Sequence, residues 1–286
     1  MDDNLETMIG QGDQKVPGLR TGYDFDRMTT GLRPGELFVL AGRPSIGKTS
    51  LAMNMATNIA LSEPQIPVGI FSLETPARQL MMRFFCSLTY ISMKELCKLN
   101  LNNNKRLIEA VKKLSNSTII IDDTHSDILE LRAAARRMKE NHDVKVIFVD
   151  YLQLIKGETS DYASRKNEMA MISGSLKAMA KELNIPVVVL VQLCHNVAPK
   201  LGDLRESGAI EQDADVVAFL HRDRTQQYYL KDGDEGRPLP AEFIIAKNRN
   251  GGTGTVDLMF YPAYMRFANV ANSPDGNWQS YDISKK

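Results

Sequence analysis

Gly42-Arg43-Pro44-Ser45-Ile46-Gly47-Lys48-Thr49 is the stretch on which the fold turns. It fits G-x-x-x-x-G-K-[ST], and its neighbours give that pattern physical meaning: an apolar run, Glu36–Ala41, precedes it and a helical segment, 48–61, follows it. Glycines at both ends let the backbone curl until several N–H groups point inward at a phosphate, and the helix opening at Lys48 adds the positive end of its dipole. Lys48 has the reach for β- and γ-phosphates, and the Thr49 hydroxyl is a hard oxygen suited to Mg²⁺. Gly42, Arg43, Pro44, Ser45, Ile46, Gly47, Lys48, Thr49 and Ser50 are therefore expected to form a nucleotide site. A chance glycine-rich turn before a helix would not carry all of these features in this order.

Working outward, strand-like runs recur at Glu36–Ala41, Val68–Leu73, Thr118–Ile121, Val144–Val149, Val187–Val191, Val216–Leu220, Glu242–Ala246 and Thr255–Phe260. Helical segments are expected at 48–61, 76–90, 127–141 and 166–183, with Thr75 as N-cap and Pro76 at the first position of the second. Asp127 and Glu130 are spaced like a capping box. Gly174, in the middle of the last helix, costs about 1 kcal/mol against Ala unless another element packs closely there. Strand–helix–strand units with short connections predict an α/β fold with a mainly parallel sheet flanked by helices. Past residue 215 the helical pattern stops, and Gly-rich turns predict antiparallel hairpins added at one edge. The expected organisation is a linker remnant over 1–18, one domain over 19–270 and a flexible tail over 271–286.

Composition narrows the function classes. In 286 residues, 35 Lys and Arg face 35 Asp and Glu, which excludes a protein coated in basic charge but leaves room for a charged channel. No apolar run reaches the ~20 residues of a membrane span. The N-terminus lacks the pattern of a signal peptide. Cys86, Cys97 and Cys194 make neither a disulfide framework nor a zinc site, and the expected compartment is the cytoplasm.

A phosphate loop alone does not separate kinases, GTPases and motor ATPases. Asp150 closes the apolar run Val146-Ile147-Phe148-Val149, where a carboxylate at the C-terminal edge of a parallel sheet faces the ligand crevice and can help hold Mg²⁺. Glu74 stands at the end of the strand that follows the first helix. Its residue type and position fit a base for an attacking water and equally a helix N-terminal charge. Gln192, ending Val187–Val191, fits a γ-phosphate sensor or a structural amide.

Together these elements resemble the C-terminal ATPase domain of the DnaB family of replicative DNA helicases, a RecA-like P-loop NTPase fold. The stretches that carry the resemblance include TGYDFDRMTTGLRPGELFVLAGRPSIGKTSLAMNMA, FSLE, VIFVDYLQLI, SLKAMAKELNIPVVVLVQL, DLRESGAIEQDADVV and IIAKNRNGGTGTV, running in order from Thr21 to Phe267. The resemblance implies ATP and Mg²⁺ as cofactors, Lys48 on phosphate, Thr49 and Asp150 at the metal, Glu74 as the catalytic base and Gln192 as the γ-phosphate sensor. It implies that Lys247 and Arg249 reach the nucleotide of a neighbouring subunit, Arg249 as an arginine finger; unaided, they read as two solvated charges. It also implies that Arg205, Glu206 and the backbone at Gly208 track single-stranded DNA in a central channel, where the residues alone show only an exposed polar loop. The implied partners are single-stranded DNA, further copies in a homo-hexamer and, for the full-length protein, a helicase loader and primase. A RecA-like recombination or regulatory ATPase that does not unwind is the alternative.

Three features depart from the family pattern. Ile46 stands where Met is common and Gly174 where many members carry Arg. The stretch between Gln192 and Asp203 is shorter and less basic than usual, which bears on DNA binding and leaves the ATPase site untouched.

Overall fold

Val, Ile and Leu fill the centre of this chain in unbroken runs because the strands they form are covered on both faces. The computed structural model describes residues 18–98, 104–157, 165–193, 201–223 and 236–270; within these, the side chains of 165–166 and 205–208 are not described. Residues 1–17 of the expected linker, and the whole expected tail 271–286, lie outside the described residues. Gly18 is part of the folded body, its N–H donating to the Thr30 carbonyl at 3.0 Å.

Nine strands make one sheet: β1 Leu37–Gly42, β2 Val68–Ser72, β3 Ile119–Asp122, β4 Val146–Asp150, β5 Val187–Gln192, β6 Val216–His221, β7 Leu239–Asn248, β8 Gly254–Tyr261 and β9 Arg266–Asn269. Their order is β3-β2-β4-β5-β1-β6-β7-β8-β9. Pairing is parallel from β3 through β6 and antiparallel from β6 through β9, which is the mainly parallel sheet with C-terminal hairpins that the sequence predicts. The helices are α1 Asp26–Thr29, α2 Lys48–Ala60, α3 Ala77–Thr89, α4 Met93–Leu96, α5 Lys105–Asn116, α6 Ile128–His142, α7 Arg165–Leu183 and α8 Gly208–Asp213.

Side chains alternate along each strand between two hydrophobic layers. Phe38 and Leu40 of β1, with Val188 and Leu190 of β5, join α2 on one face. Leu37, Val39 and Ala41, with Val187, Val189 and Val191, join α6 and α7 on the other. The helix expected over 166–183 forms as α7, with Met169, Ile172, Leu176, Met179 and Ala180 buried at helical spacing and Leu183 partly buried against the same layer.

Several boundaries differ from expectation for local reasons. Pro76 is the N-cap of α3 with an extended backbone, so the helix begins at Ala77, whose N–H is capped by the Asp123 carboxylate at 2.8 Å. Asp127 caps α6 by accepting from the N–H groups of Leu129 and Glu130. The sequence reading overlooked α5, although Leu107, Ala110 and Leu114 have the spacing of one buried helical face, and α4, although Ser92 and Glu95 form a full capping box. It also overlooked β9, whose four residues hold one fully apolar buried side chain, Phe267.

No described element packs against Gly174. It is exposed, and a Cβ built there meets nothing within 4 Å. Glycine in a helix interior carries an entropic cost with nothing here to offset it. Gly174→Ala should therefore stabilise the fold by about 0.5–1 kcal/mol. Urea unfolding followed by circular dichroism measures this; an unchanged or lowered midpoint would show that α7 needs the glycine.

Candidate nucleotide site

The loop after β1 is shaped by contacts that admit little but the residues present. At Gly42 a Cβ would lie 2.5 Å from Ile46 Cδ1 and 2.7 Å from the Leu220 carbonyl oxygen, so the strand can leave the sheet there only as glycine. Gly47 is the N-cap of α2 at φ +104°, and a Cβ there would meet the Phe267 ring at 3.0 Å. Phe267 stacks on Phe260 with ring centroids 4.5 Å apart. The two hairpin strands thus form an aromatic floor under the loop. Arg222, just past β6, lies with its guanidinium carbon 4.8 Å from the Phe260 centroid and donates from Nη2 to the Ser45 carbonyl at 3.3 Å.

The remaining site residues come together through strand register. Gly42 is opposite Gln192, and Ser72 is opposite Asp150, so the C-terminal ends of β2, β4, β5 and β1 lie side by side. A cleft of about 370 Å³ opens over them, lined among others by Ser45, Lys48, Thr49, Glu74, Asp150 and Gln192. Thr49 donates its hydroxyl to Asp150 Oδ2 at 2.8 Å, and Lys48 Nζ donates to the Arg43 carbonyl at 2.8 Å. Gln153, in the 3-10 turn Leu152–Leu154 that follows β4, brackets the main chain of Gln192. Its Nε2 donates to the Gln192 carbonyl at 2.9 Å and its Oε1 accepts the Gln192 N–H at 3.3 Å. The turn after β4 thus fixes the end of β5.

Burial dominates the electrostatics. It pushes the Lys48 ammonium down to about 8, against the opposing pull of the Asp150 and Glu74 carboxylates. It raises the Asp150 carboxyl above the ordinary range, while the Thr49 hydrogen bond and nearby Lys48 act in the other direction. A cleft that holds a desolvated cation beside hard oxygens suits a polyanion with a divalent cation. A Thr hydroxyl with a single carboxylate fits Mg²⁺, which keeps waters and phosphate oxygens as its other ligands.

Sequence reasoning missed part of the lining. Arg83 of α3, Tyr151, Arg222, Phe260, Pro262 and Met265 border the same cleft. Arg83 is three residues past Leu80 on a helix whose other face is core, and no sequence pattern sets it apart from Arg78. Arg222 follows β6, Phe260 lies in β8 and Met265 in the turn before β9, and only the sheet order brings them to a loop some two hundred residues earlier.

Lys247 and Arg249 do not line this cleft. They stand at the end of β7, which runs antiparallel to β6, so they lie at the N-terminal edge of the parallel strands. That is a strand length away from the cleft, roughly 20 Å at ~3.3 Å per residue. There Lys247 Nζ donates to the Glu211 carbonyl, and Arg249 Nη2 to the Gln212 carbonyl, at the end of α8. Burial and the neighbouring Arg249 lower the Lys247 ammonium below its ordinary value. Arg205 and Glu206 lie in the 3-10 segment Leu201–Ser207 and Gly208 opens α8; their side chains are outside the described set.

The family described as DnaB-like helicase C terminal domain matches residues 18–269. The chain is 44% identical over 278 residues to the replicative DNA helicase DnaB of Geobacillus stearothermophilus and 43% identical over 279 residues to the replicative DNA helicase DnaC of Bacillus subtilis. In each case the match takes in 94% of this chain and 60% of the relative, so the chain spans about three-fifths of the length of these relatives. Among solved structures, one described as an ATPase domain superposes with a TM-score of 0.81 at 33% identity, covering 93% of this chain and 96% of that one. A DnaB-like replicative helicase, described with its interactions with primase, superposes at 0.79 and 32% identity, covering 94% of this chain and 66% of that one. No described helix is long and apolar enough to cross a membrane.

Buried Lys48 sets a stability test. Unfolding returns its ammonium to the ordinary value of 10.5, so between about pH 8 and 10.5 the unfolded chain binds more protons and stability rises with pH. Below pH 8 the cost of burying the charge is carried in full. Lys48→Met should raise the urea midpoint at pH 7, by on the order of 1–3 kcal/mol in stability, with the gain shrinking as pH rises through that window. A gain that does not vary with pH would assign it to packing instead of charge.

Proposed function

Because the chain belongs to the DnaB-like helicase C-terminal domain family, we propose that it is the ATP-driven motor of a ring-forming replicative DNA helicase. It would translocate on single-stranded DNA and unwind duplexes by hydrolysing ATP at the interfaces between copies. One observation carries the reading. The phosphate loop, Glu74, Asp150 and Gln192 share one cleft at the C-terminal edge of the sheet, while Lys247 and Arg249 stand on the opposite edge of the same sheet. On this reading Lys247 and Arg249 serve the cleft of an adjoining copy.

On this reading the loop amides and Lys48 hold the triphosphate, and Arg222 keeps the loop in shape from below. Thr49 and Asp150 would hold Mg²⁺, which neutralises charge on the phosphate oxygens. Glu74 takes a proton from the attacking water as its oxygen bonds to the γ-phosphorus and the bond to the bridging oxygen of ADP breaks. Gln192, its backbone bracketed by Gln153, offers its side-chain amide to the γ-phosphate. Arg249 of the adjoining copy, with Lys247, stabilises the charge that develops on the transferring group. The Phe260, Pro262 and Met265 side of the cleft offers an apolar surface for the base. Arg205, Glu206 and Gly208 are assigned to single-stranded DNA. That assignment is supported by the family to which the chain belongs. Loader and primase are partners of the whole protein on the same reading, primase being the protein with which one structural relative is described as interacting.

Two measurements test this function. ATPase rate per chain should rise with protein concentration as interfaces form, and full activity in dilute monomer would overturn the shared site. Glu74→Gln should keep nucleotide binding within about threefold and lose at least ~100-fold in turnover. Turnover that persists would remove Glu74 from the reaction.

A further inference from the structure

Arg249 owes its place to a residue outside the cleft. Asp215, at the turn between α8 and β6, is 5% exposed and every polar group it carries is engaged. Its N–H donates to the Leu37 carbonyl at 2.9 Å, and its own carbonyl accepts the Arg249 N–H at 2.9 Å. Oδ2 accepts the Leu37 N–H at 2.8 Å and Lys177 Nζ at 2.5 Å; Oδ1 accepts Arg249 Nη1 at 3.1 Å. Lys177 in turn donates to the Gly35 carbonyl at 2.9 Å. The carboxylate is thus fixed to the first residue of β1 and to Lys177 of α7. Only Oδ1 is turned outward, to a guanidinium whose side chain is 47% exposed.

We propose that Asp215 is the positioning residue that aims Arg249 at the nucleotide of the adjoining copy; this rests on the in-trans assignment of Arg249 above. An arginine on a free stem loses several rotatable bonds' worth of entropy each time it meets a transition state. Held at its backbone N–H and at both terminal nitrogens, by Asp215 and the Gln212 carbonyl, it loses far less. Lys177 shares the carboxylate, so Asp215 orients the guanidinium without fully neutralising it. The division between the two oxygens points to the substitution. In Asp215→Asn the remaining carbonyl oxygen can still serve Leu37 and Lys177, while the amide NH₂ faces Arg249, donor against donor.

The experiment uses the full-length chain and mixed assemblies on single-stranded DNA. Asp215→Asn alone should lower kcat for ATP about 100-fold with KM within about twofold, as expected for a misplaced catalytic group. Co-assembled with Lys48→Ala subunits, which keep an intact finger but a disabled loop, Asp215→Asn subunits should recover hydrolysis well above the sum of the two parents. Their own clefts are intact and now face a properly held Arg249. Arg249→Ala with Lys48→Ala is the control. If that pair fails to recover, the in-trans assignment falls. If it recovers and the Asp215→Asn pair does not, Asp215 serves only the fold of its own chain and the proposal is overturned, as it is if Asp215→Asn alone keeps its kcat. Should Asp215→Asn not fold, Asp215→Glu, which retains the charge and displaces the carboxylate by one methylene, is read by the same outcomes.

Discussion

The parallel register of four strands is the constraint on which everything else hangs. Gly42 opposite Gln192 aligns the ends of β1 and β5, Ser72 opposite Asp150 aligns those of β2 and β4, and each end delivers one functional group. A slip of one residue in any of these pairings would turn its apolar side chains from one layer to the other. Both faces are buried, so the slip carries a packing cost in both layers. The core therefore enforces the placement of the cleft to within a residue. Fine adjustment falls to short links such as Gln153 on the Gln192 backbone and the aromatic floor of Phe260 and Phe267.

The antiparallel end of the sheet does two jobs with one set of strands. Phe260 and Phe267 support the phosphate loop, and Arg222 ties β6 to it. The opposite end of the same hairpin presents Lys247 and Arg249, held against α8 and Asp215. Strand β7 thus spans the molecule from the side of its own cleft to the edge where it would meet another.

How much of this was legible in the sequence followed from how local each signal is. The loop after β1, the apolar strand ending in Asp150 and the stripe on α7 are carried by residues adjacent in the chain, and the sheet repeats them. Glu74 and Gln192 were ambiguous alone, since an acid or an amide at a strand end has several uses; the register puts both on the cleft. Arg83, Arg222 and Met265 could not be read, because their meaning comes from sheet order and not from spacing. Asp215 sat in plain view within the recognised run from Asp203, yet nothing local shows that its carboxylate reaches Leu37, Lys177 and Arg249 at once. The net charge of zero was informative in a narrow sense: it excludes a basic coat, while Lys48, Lys247 and Arg249 are each set individually against a carbonyl or carboxylate.

The two edges of the sheet have a consequence for counting. If each chain contributes a cleft on one side and a finger on the other, contact between copies is head to tail, and such contacts either close or continue. An open arc then always ends in one unfinished cleft and one idle finger. Closure completes both in a single event, without any new surface. A defective copy would spoil not one centre but two: its own, and the one it completes for its neighbour.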